Sequence, residues 1–333
     1  MLRDSLESLI CQETDGKFSF EILVIDNGSM DGTSHAIAEV GAHSPVEVRR
    51  VEEKTKGYAY ALNRGVVESR AEWLAFFDDD QLAAVGWLKE LYRVAVDKKA
   101  PLVGGSMTLA LSQEELARLG PLSRAQLGEK RRSWSEVRKC SRRRPLVSVG
   151  SGNLLVKRTV FDSIGMFESL IHAADCDGAL VAHPGVNPIA NPPNRYYGGC
   201  DVDFIERAMR AGFDLWWAPK AVGRHVIPAH RLKPEYQKRI ALRFGTGRAY
   251  RDRKLSGRLG MVQRCIARIG QALLMTAPRL LVAWAARDQA KTSDWQYKLL
   301  QAQGYVRTTL HLLAPWMFAQ ERFFESLDRR GEM

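Results

Sequence analysis

Strands alternating with helices through roughly the first hundred residues predict an α/β fold, a mostly parallel, doubly wound sheet covered by helices on both faces. A second observation puts a ligand at one end of it. The apolar run Trp73-Leu-Ala-Phe-Phe77 leads straight into Asp78, Asp79 and Asp80, and in open α/β sheets ligands bind beyond the carboxyl ends of strands. A third is a change of character at Pro234, after which long amphipathic helices replace the alternation.

The elements follow in order. Leu2, Leu6, Leu9 and Ile10 share a helical face. Phe20 to Asp26 reads as a strand, Asn27 to Thr33 as a turn rich in glycine and capping residues, and a helix follows through Val40. Val46 to Val51 is a strand and Gly57 to Ser69 a helix with small residues on one face. Trp73 to Phe77 reads as a buried central strand. A helix from about Val85 to Val96 and a strand over Pro101–Met107 come next. Leu111 to Arg144 is polar, charged and helical at best, an excursion from the sheet. Apolar runs return over Leu146–Arg158, interrupted by Ser151-Gly-Asn153, and Glu168 to Tyr197 is a long, proline-punctuated loop. Val202, Ile205, Ala208 and Met209 make one helical face that Gly212 ends. Leu215–Ala218 is a short strand, and Ala221 leads to His225. This organisation divides the chain into an α/β domain over 1–232, with halves at about 1–107 and 145–232, and a helical region over 233–333.

Bulk properties exclude several classes. The cysteines are scattered without a CxxC pair, against a zinc ribbon or a disulfide framework and in keeping with a reducing cytoplasm. The first residues carry no signal peptide. No apolar run has transmembrane length, because the best one, Ala272 to Ala286, is interrupted by Pro278 and Arg279. The net charge of +11 attracts phosphates or anionic lipid, and without a nucleic-acid motif DNA and RNA are set aside. Much of that charge lies in Lys130–Arg144, either a solvated loop or a mobile one that meets a diphosphate or a membrane surface. Basic residues beside the apolar stripe Met261, Cys265, Ile269 and Leu273 suit helices lying on a membrane as well as a packed bundle. That stripe leaves Arg264 and Arg268 opposite.

Asp78 and Asp80, two apart on an extended chain, can face the same way and grip one cation. Carboxylates with water and phosphates suit Mg²⁺ or Mn²⁺. An acidic turn capping the next helix is the plainer alternative. Asp201, ahead of its helix, reads as a cap and equally as a base at the lip of a site.

Taken together these motifs resemble glycosyltransferase family 2, the inverting GT-A type, over roughly Leu6 to Arg231. Asp26-Asn-Gly-Ser-Met-Asp-Gly-Thr33 resembles its nucleotide-binding turn, Gly57-Tyr-Ala-Tyr-Ala-Leu-Asn-Arg-Gly65 the small-residue helix beside the nucleotide, and Phe77-Asp-Asp-Asp80 the DxD motif. Gly152-Asn153 with Lys157-Arg158 resembles the segment lining the donor-sugar and acceptor pocket, and Gly198-Gly-Cys-Asp201 the GG-ED motif. The resemblance implies a metal-dependent transfer of one sugar from a nucleotide-diphosphate sugar to a saccharide or lipid-linked acceptor, in polysaccharide, glycolipid or cell-envelope synthesis. It would act in the cytoplasm, peripherally at the inner face of the membrane. Asp201 would be the base, with Asp203 the fallback, although on a helix it points away from Asp201. Asp78, Asp80 and His225 would hold Mn²⁺ or Mg²⁺. Asp26, Asn27, Ser29, Asp31, Gly57, Ala61, Asn63, Asp78, Asp79, Gly152, Asn153 and Gly199 would bind substrate.

Three features depart from the pattern. The family opens with a strand ahead of the first helix, whereas this chain begins at that helix, which implies an incomplete nucleotide pocket. Cys200 stands where the family carries Glu, and losing that charge should make Asp201 a weaker base. The Glu168–Tyr197 loop is long, which implies unusual acceptor recognition. The first two support an alternative, a non-catalytic GT-A relative that binds a partner. A nucleotidyltransferase is disfavoured, since no Gly-rich phosphate loop with Lys lies near the N-terminus. The QxxRW signature of processive synthases is absent too, which favours single-sugar transfer.

Overall fold

The computed structural model describes residues 1–130, 135–140, 149–168 and 200–318. The described residues form two compact units, the first drawn from 1–110, 128–168 and 200–226, the second from 111–127 and 227–318. The Glu168–Tyr197 loop, Gly199 and most of the basic run fall outside the described residues.

The first unit follows the alternation in the sequence: α1 (Leu2–Ile10), β1 (Ile22–Asp26), α2 (Thr33–Ala42), β2 (Val48–Glu52), α3 (Tyr58–Glu68), β3 (Trp73–Phe77), β4 (Gln81–Ala83), α4 (Trp87–Asp97) and β5 (Leu102–Leu109). In the second unit come α5 (Gln113–Arg118) and α6 (Pro121–Gln126), the helical content of the excursion. The first unit then resumes with β6 (Arg138–Lys139), β7 (Asn153–Lys157), α7 (Arg158–Ile164), α8 (Cys200–Arg210) and β8 (Leu215–His225). Gly212, at φ 103°, ends α8, the left-handed geometry that glycine adopts without a Cβ penalty.

The sheet is mixed rather than wholly parallel. β1 pairs with β2 in parallel as a separate ribbon. The other strands form one sheet in the order β3-β7-β5-β8-β4, with β6 on β8. Within it only β5–β8 is parallel, because β7 runs antiparallel between β3 and β5. The Trp73 strand is therefore not central. It ends the larger sheet, and Ala75 is exposed on it.

Burial explains the layers. Leu91 and Val94 of α4 pack on Val103, Leu155 and Ala218 on one side of the sheet. Val160, Phe161, Phe204 and Ile205 of α7 and α8 pack with Leu102, Leu154, Val156 and Leu215 in another cluster. Leu6, Ile22, Ile37 and Val40 close a smaller core around α1, α2 and the ribbon.

The second unit continues from a short 3₁₀ turn at Ala229–Leu232 into α9 (Pro234–Gln271), which breaks at Gly257. A π-helical turn over Ala272–Thr276 leads into α10 (Ala277–Ala285), and α11 (Gln289–Leu313) returns. The helical path thus continues through Pro278, because the proline sits in the first turn of α10, where its missing N–H costs little. Leu255–Ala285 is then one stretch of 31 residues, long and apolar enough by length and composition to cross a membrane. Only part of the apolar stripe is covered. Met261 and Cys265 are buried with Tyr305, whereas Leu273 is 66% exposed. Arg264 and Arg268 do not simply face away from it: Arg264 Nη1 donates to Asp252 (2.6 Å), and the Arg268 guanidinium lies 4.5 Å over the Tyr305 ring.

Helices α9 and α11 cross where neither carries a side chain. A Cβ on Gly304 would strike the Leu242 carbonyl oxygen, and one on Gly245 that of Gln301. Beside the crossing, Thr308 donates to Thr246 (3.0 Å). Gly304→Ala should therefore destabilise this unit by about 1–3 kcal/mol, since backbone and not a flexible side chain must move. Gly270→Ala, where a Cβ meets nothing, should be neutral or stabilising. Thermal unfolding of the two variants separates the outcomes.

Candidate active site

The site is assembled at the turn before β7. In the segment Gly150-Ser151-Gly152-Asn153 all four residues are buried. A Cβ on Gly152 would meet Asp78 Oδ2, and one on Gly150 would stand 2.6 Å from both Asp201 Oδ2 and Lys130 Nζ. Glycine at these two places lets three charged groups close around one turn. Ser151 then links them. Its N–H donates to Asp201 Oδ2 (3.1 Å), and its hydroxyl lies 2.6 Å from that of Tyr58, which donates to Asp78 Oδ1 (3.0 Å).

Electrostatics follow from this crowding. Burial, then the charge of Asp80, push Asp78 up to about 6. Burial also pulls the Lys130 ammonium below the ordinary lysine value, while Asp201 and Asp78 favour its charged form. The Tyr58 phenol is pushed well above its usual value by burial and then by Asp78, so it stays a donor. Asp201 lies in the first turn of α8, where Oδ1 accepts from Val202 N (2.9 Å). Asp203 is turned to Arg207 (2.8 Å).

Asp80 carries the second carboxylate. His225 Nε2 is 3.0 Å from its Oδ2, brought there because β4 pairs with the end of β8. Among the described residues no three His, Cys, Asp or Glu side chains gather as a ready cage. The donors still fit a hard divalent cation: two carboxylates that repel each other, one touched by an imidazole, is the partial shell that substrate phosphates and water complete around Mg²⁺ or Mn²⁺.

Residues 1–165 match the family model described as glycosyl transferase family 2. That match, over just under half of the chain, identifies this stretch as a family 2 glycosyltransferase segment. Glycosyltransferase AglE of Haloferax volcanii is 26% identical over 219 residues, 65% of this chain and 60% of that protein. The chain thus spans about 60% of that relative's length. The uncharacterized glycosyltransferase YfnE of Bacillus subtilis is 41% identical over 83 residues, 25% of this chain and 20% of that protein. Among solved structures, mannosyltransferase PcManGT from Pyrobaculum calidifontis, in complex with GDP-Man and Mn²⁺, shares the fold. Its TM-score is 0.53 at 18% identity, over 92% of this chain and 82% of that one.

The first unit brings Asp78, Gly152 and Asp201 together at one turn, and Asp80 to His225. Other residues from the motifs do structural work. Asn27 donates to the carbonyls of Glu53 and Thr55 (both 2.8 Å) and accepts from Gly57 N (2.8 Å). Gly57, at φ 142°, sits just ahead of α3. Asn63 brackets the Phe167 backbone with two bonds of 2.9 Å. Asn153 accepts from Trp87 Nε1 (2.8 Å) and donates to the carbonyls of Ser106 (2.8 Å) and Ala221 (3.1 Å), tying α4, β5 and β8 to β7. Asp31 accepts from Thr33 at the start of α2 (3.0 Å to N). Ala61, Ser29 and Asp79 line a cavity beside β1 and β3.

Asp26 is buried, and both its oxygens are engaged. Oδ1 accepts from Ser29 N (2.8 Å), and Oδ2 takes both Nε (2.9 Å) and Nη2 (2.6 Å) of Arg50. Burial alone would raise this carboxyl, but the bonds from Ser29 and the Arg50 guanidinium bring it below the usual range.

Tyr58, Lys130, Ser151 and Gln81, whose Nε2 donates to Asp78 (3.1 Å), were not legible as site residues. Ser151, adjoining the Gly152-Asn153 motif, and Tyr58, inside the Gly57–Gly65 motif, carried a signal. Lys130 opens a run that reads either as a solvated loop or as a mobile one that meets a diphosphate or a membrane, and its place is set by backbone bonds to Met107 in both directions (2.8 and 3.0 Å). Cys200 is buried among the core of α8, and burial, then Asp201, push its thiol up to about 12, so it is neutral.

The Asp26 pair gives a pH test. A carboxylate with a depressed native pKa adds stability above its unfolded value of about 3.9, and loses it as pH falls through the native value. The wild type should therefore lose stability below about pH 4 more steeply than Asp26→Asn, as read by denaturant unfolding. Arg50→Met at pH 7, which strands the buried carboxylate, should cost on the order of 2 kcal/mol.

Proposed function

We propose that this protein is a metal-dependent, inverting glycosyltransferase that moves one sugar from a nucleotide-diphosphate sugar to a hydroxyl acceptor. The observation that carries this reading is the convergence of Asp78 and Asp201, from distant parts of the chain, on one glycine-lined turn. Two carboxylates with different surroundings suit two tasks. Asp78 and Asp80, with His225, are the residues that would hold Mn²⁺ or Mg²⁺. When bound, that cation neutralises charge building on the departing diphosphate. Asp201 takes the proton of the acceptor hydroxyl as its oxygen forms the new bond to the anomeric carbon. The bond to the diphosphate oxygen breaks on the opposite side, and configuration inverts. Ser151 fixes the rotamer of Asp201, and Lys130 offsets the charge of the two carboxylates. That PcManGT was solved with GDP-Man and Mn²⁺ agrees with a donor and cation of this class.

The α/β domain of 1–232 would carry the chemistry and 233–333 the attachment to an anionic membrane surface, which fits a lipid-linked or envelope saccharide as acceptor. Leu259, Leu274, Val282 and Trp284 are each about 70–80% exposed, apolar surface with arginines at 258, 264, 268 and 279 along the same stretch. Four arginines over one span argue for a helix lying in the interface rather than crossing the core.

Calorimetric titration with UDP, GDP and dTDP, each with and without Mn²⁺, tests the donor site. One nucleotide should bind with the metal and lose at least tenfold in affinity in Asp80→Ala. In the turnover assay Asp201→Asn should retain nucleotide binding and lose activity by about 10²-fold or more. Lys130→Met should fall between, partly rescued by Lys130→Arg. Absence of nucleotide binding in the folded protein would favour the non-catalytic alternative.

Co-sedimentation tests the second part. The protein should pellet with phosphatidylglycerol vesicles, less with phosphatidylcholine, and Leu274→Asp/Trp284→Asp should release it from both.

A further inference from the structure

The hydrogen bonds around Asp78 leave one buried acceptor over. Gln81 opens β4 and is 5% exposed. Its Nε2 donates to Asp78 Oδ2 (3.1 Å), and its Oε1, also buried, has no hydrogen-bond partner among the described residues. Turning the amide round does not relieve this, because an oxygen would then face the carboxylate. A buried acceptor left unmet costs its full desolvation penalty, and in a folded protein it calls for an explanation.

The neighbouring donors are committed elsewhere. The Tyr58 hydroxyl donates to Asp78, the Ser151 N–H donates to Asp201, and His225 Nε2 lies against Asp80. The amide also has no room to swing toward the turn, since a Cβ on Gly152 would stand 2.5 Å from Gln81 Nε2. The missing donor therefore has to come from a ligand.

The company of Gln81 says which ligand. It is bonded to Asp78, follows Asp80 in the sequence, and faces His225 in the β4–β8 register. It thus adjoins each of the three residues that would hold the cation. A phosphate oxygen is itself an acceptor and cannot satisfy Oε1. A water on a divalent cation can, because the cation's charge makes its protons stronger donors. Mg²⁺ in particular keeps several of its waters when bound.

We infer that Gln81 is a positioning residue for the cation, its Nε2 holding Asp78 and its Oε1 accepting from a water in the cation's shell. This rests on the cation reading of Asp78 and Asp80, and adds to it a residue that reads the ion's hydration. Partners behind the ligands of a metal typically change its affinity 10- to 100-fold.

The test titrates Mn²⁺ alone into the full 333-residue chain, without nucleotide, and reads the EPR signal of the free ion. Gln81→Met removes both ends of the amide at similar length, and Gln81→Glu restores the acceptor without the donor. Gln81→Met should bind Mn²⁺ at least tenfold more weakly than the wild type. Gln81→Glu should recover most of that loss, and should still do so in high salt, where added charge alone counts for less. In EDTA, Gln81→Met should melt within about 3 °C of the wild type, because the lost bond to Asp78 and the removed orphan act in opposite directions. Mn²⁺ should then raise the Tm of the wild type more than that of the variant.

Equal Mn²⁺ affinity of the wild type and Gln81→Met overturns the inference and leaves the cation reading standing. Gln81→Glu as weak as Gln81→Met overturns it too, and reduces Gln81 to a brace for Asp78. So does a Gln81→Met protein that is much less stable in EDTA. Failure of the folded wild type to bind Mn²⁺ overturns the cation reading itself, and this inference with it.

Discussion

Steric clearance at Gly150 and Gly152 is the constraint on which the site depends. Three charged groups and a buried tyrosyl hydroxyl meet around a turn that has no room for a β-carbon at either position. The same turn anchors the scaffold, because Asn153 spends its whole side chain on α4, β5 and β8. Gly150, Ser151 and Gly152 meet the charged groups while the next residue, Asn153, holds the turn in place, so the chemistry inherits the rigidity of the sheet rather than of a loop.

The larger sheet is mixed for a related reason. With β7 antiparallel between β3 and β5, its amino end, where the turn sits, lies beside Phe77, the last residue of β3. Asp78 thus meets the turn leading into β7 instead of the end of another parallel strand. Strand β8 adds the other half. It is parallel to β5 but antiparallel to β4, and its last residue, His225, arrives at Asp80. Mixed pairing draws groups from three strands to one end of the sheet.

Much of this was legible in the sequence. Alternation of strand and helix gave the α/β class, and the run Trp73–Phe77 marked its strand at both ends. The acidic triplet, His225 and Asp201 were visible because each stands at the end of a periodic segment. Pairing direction was not visible, since periodicity describes a strand's faces and not its neighbours, and β3 therefore reads as central. The scaffold bonds of the asparagines were not visible either: an amide offers two donors and an acceptor, and those of Asn27 and Asn63 meet backbone groups while Asn153 meets two carbonyls and the Trp87 indole. Lys130 was hidden for the opposite reason, a charge in a basic run that a pair of backbone bonds carries inward.

The π turn at Ala272–Thr276 does more than let a proline pass. An α-helix advances about 100° per residue, and a π turn inserts one extra residue into that count. It therefore resets the angular phase of everything after it. The apolar positions of α10, Leu281 and Trp284 among them, have their azimuth set by this insertion relative to Ile266 and Leu273 before it. A wheel of 100° per residue carried straight through 272–276 would therefore misplace the apolar positions of α10 by about one residue, roughly 100°. Whether this stretch presents one face or two is thus fixed by a count of residues, a property that neither hydropathy nor charge records.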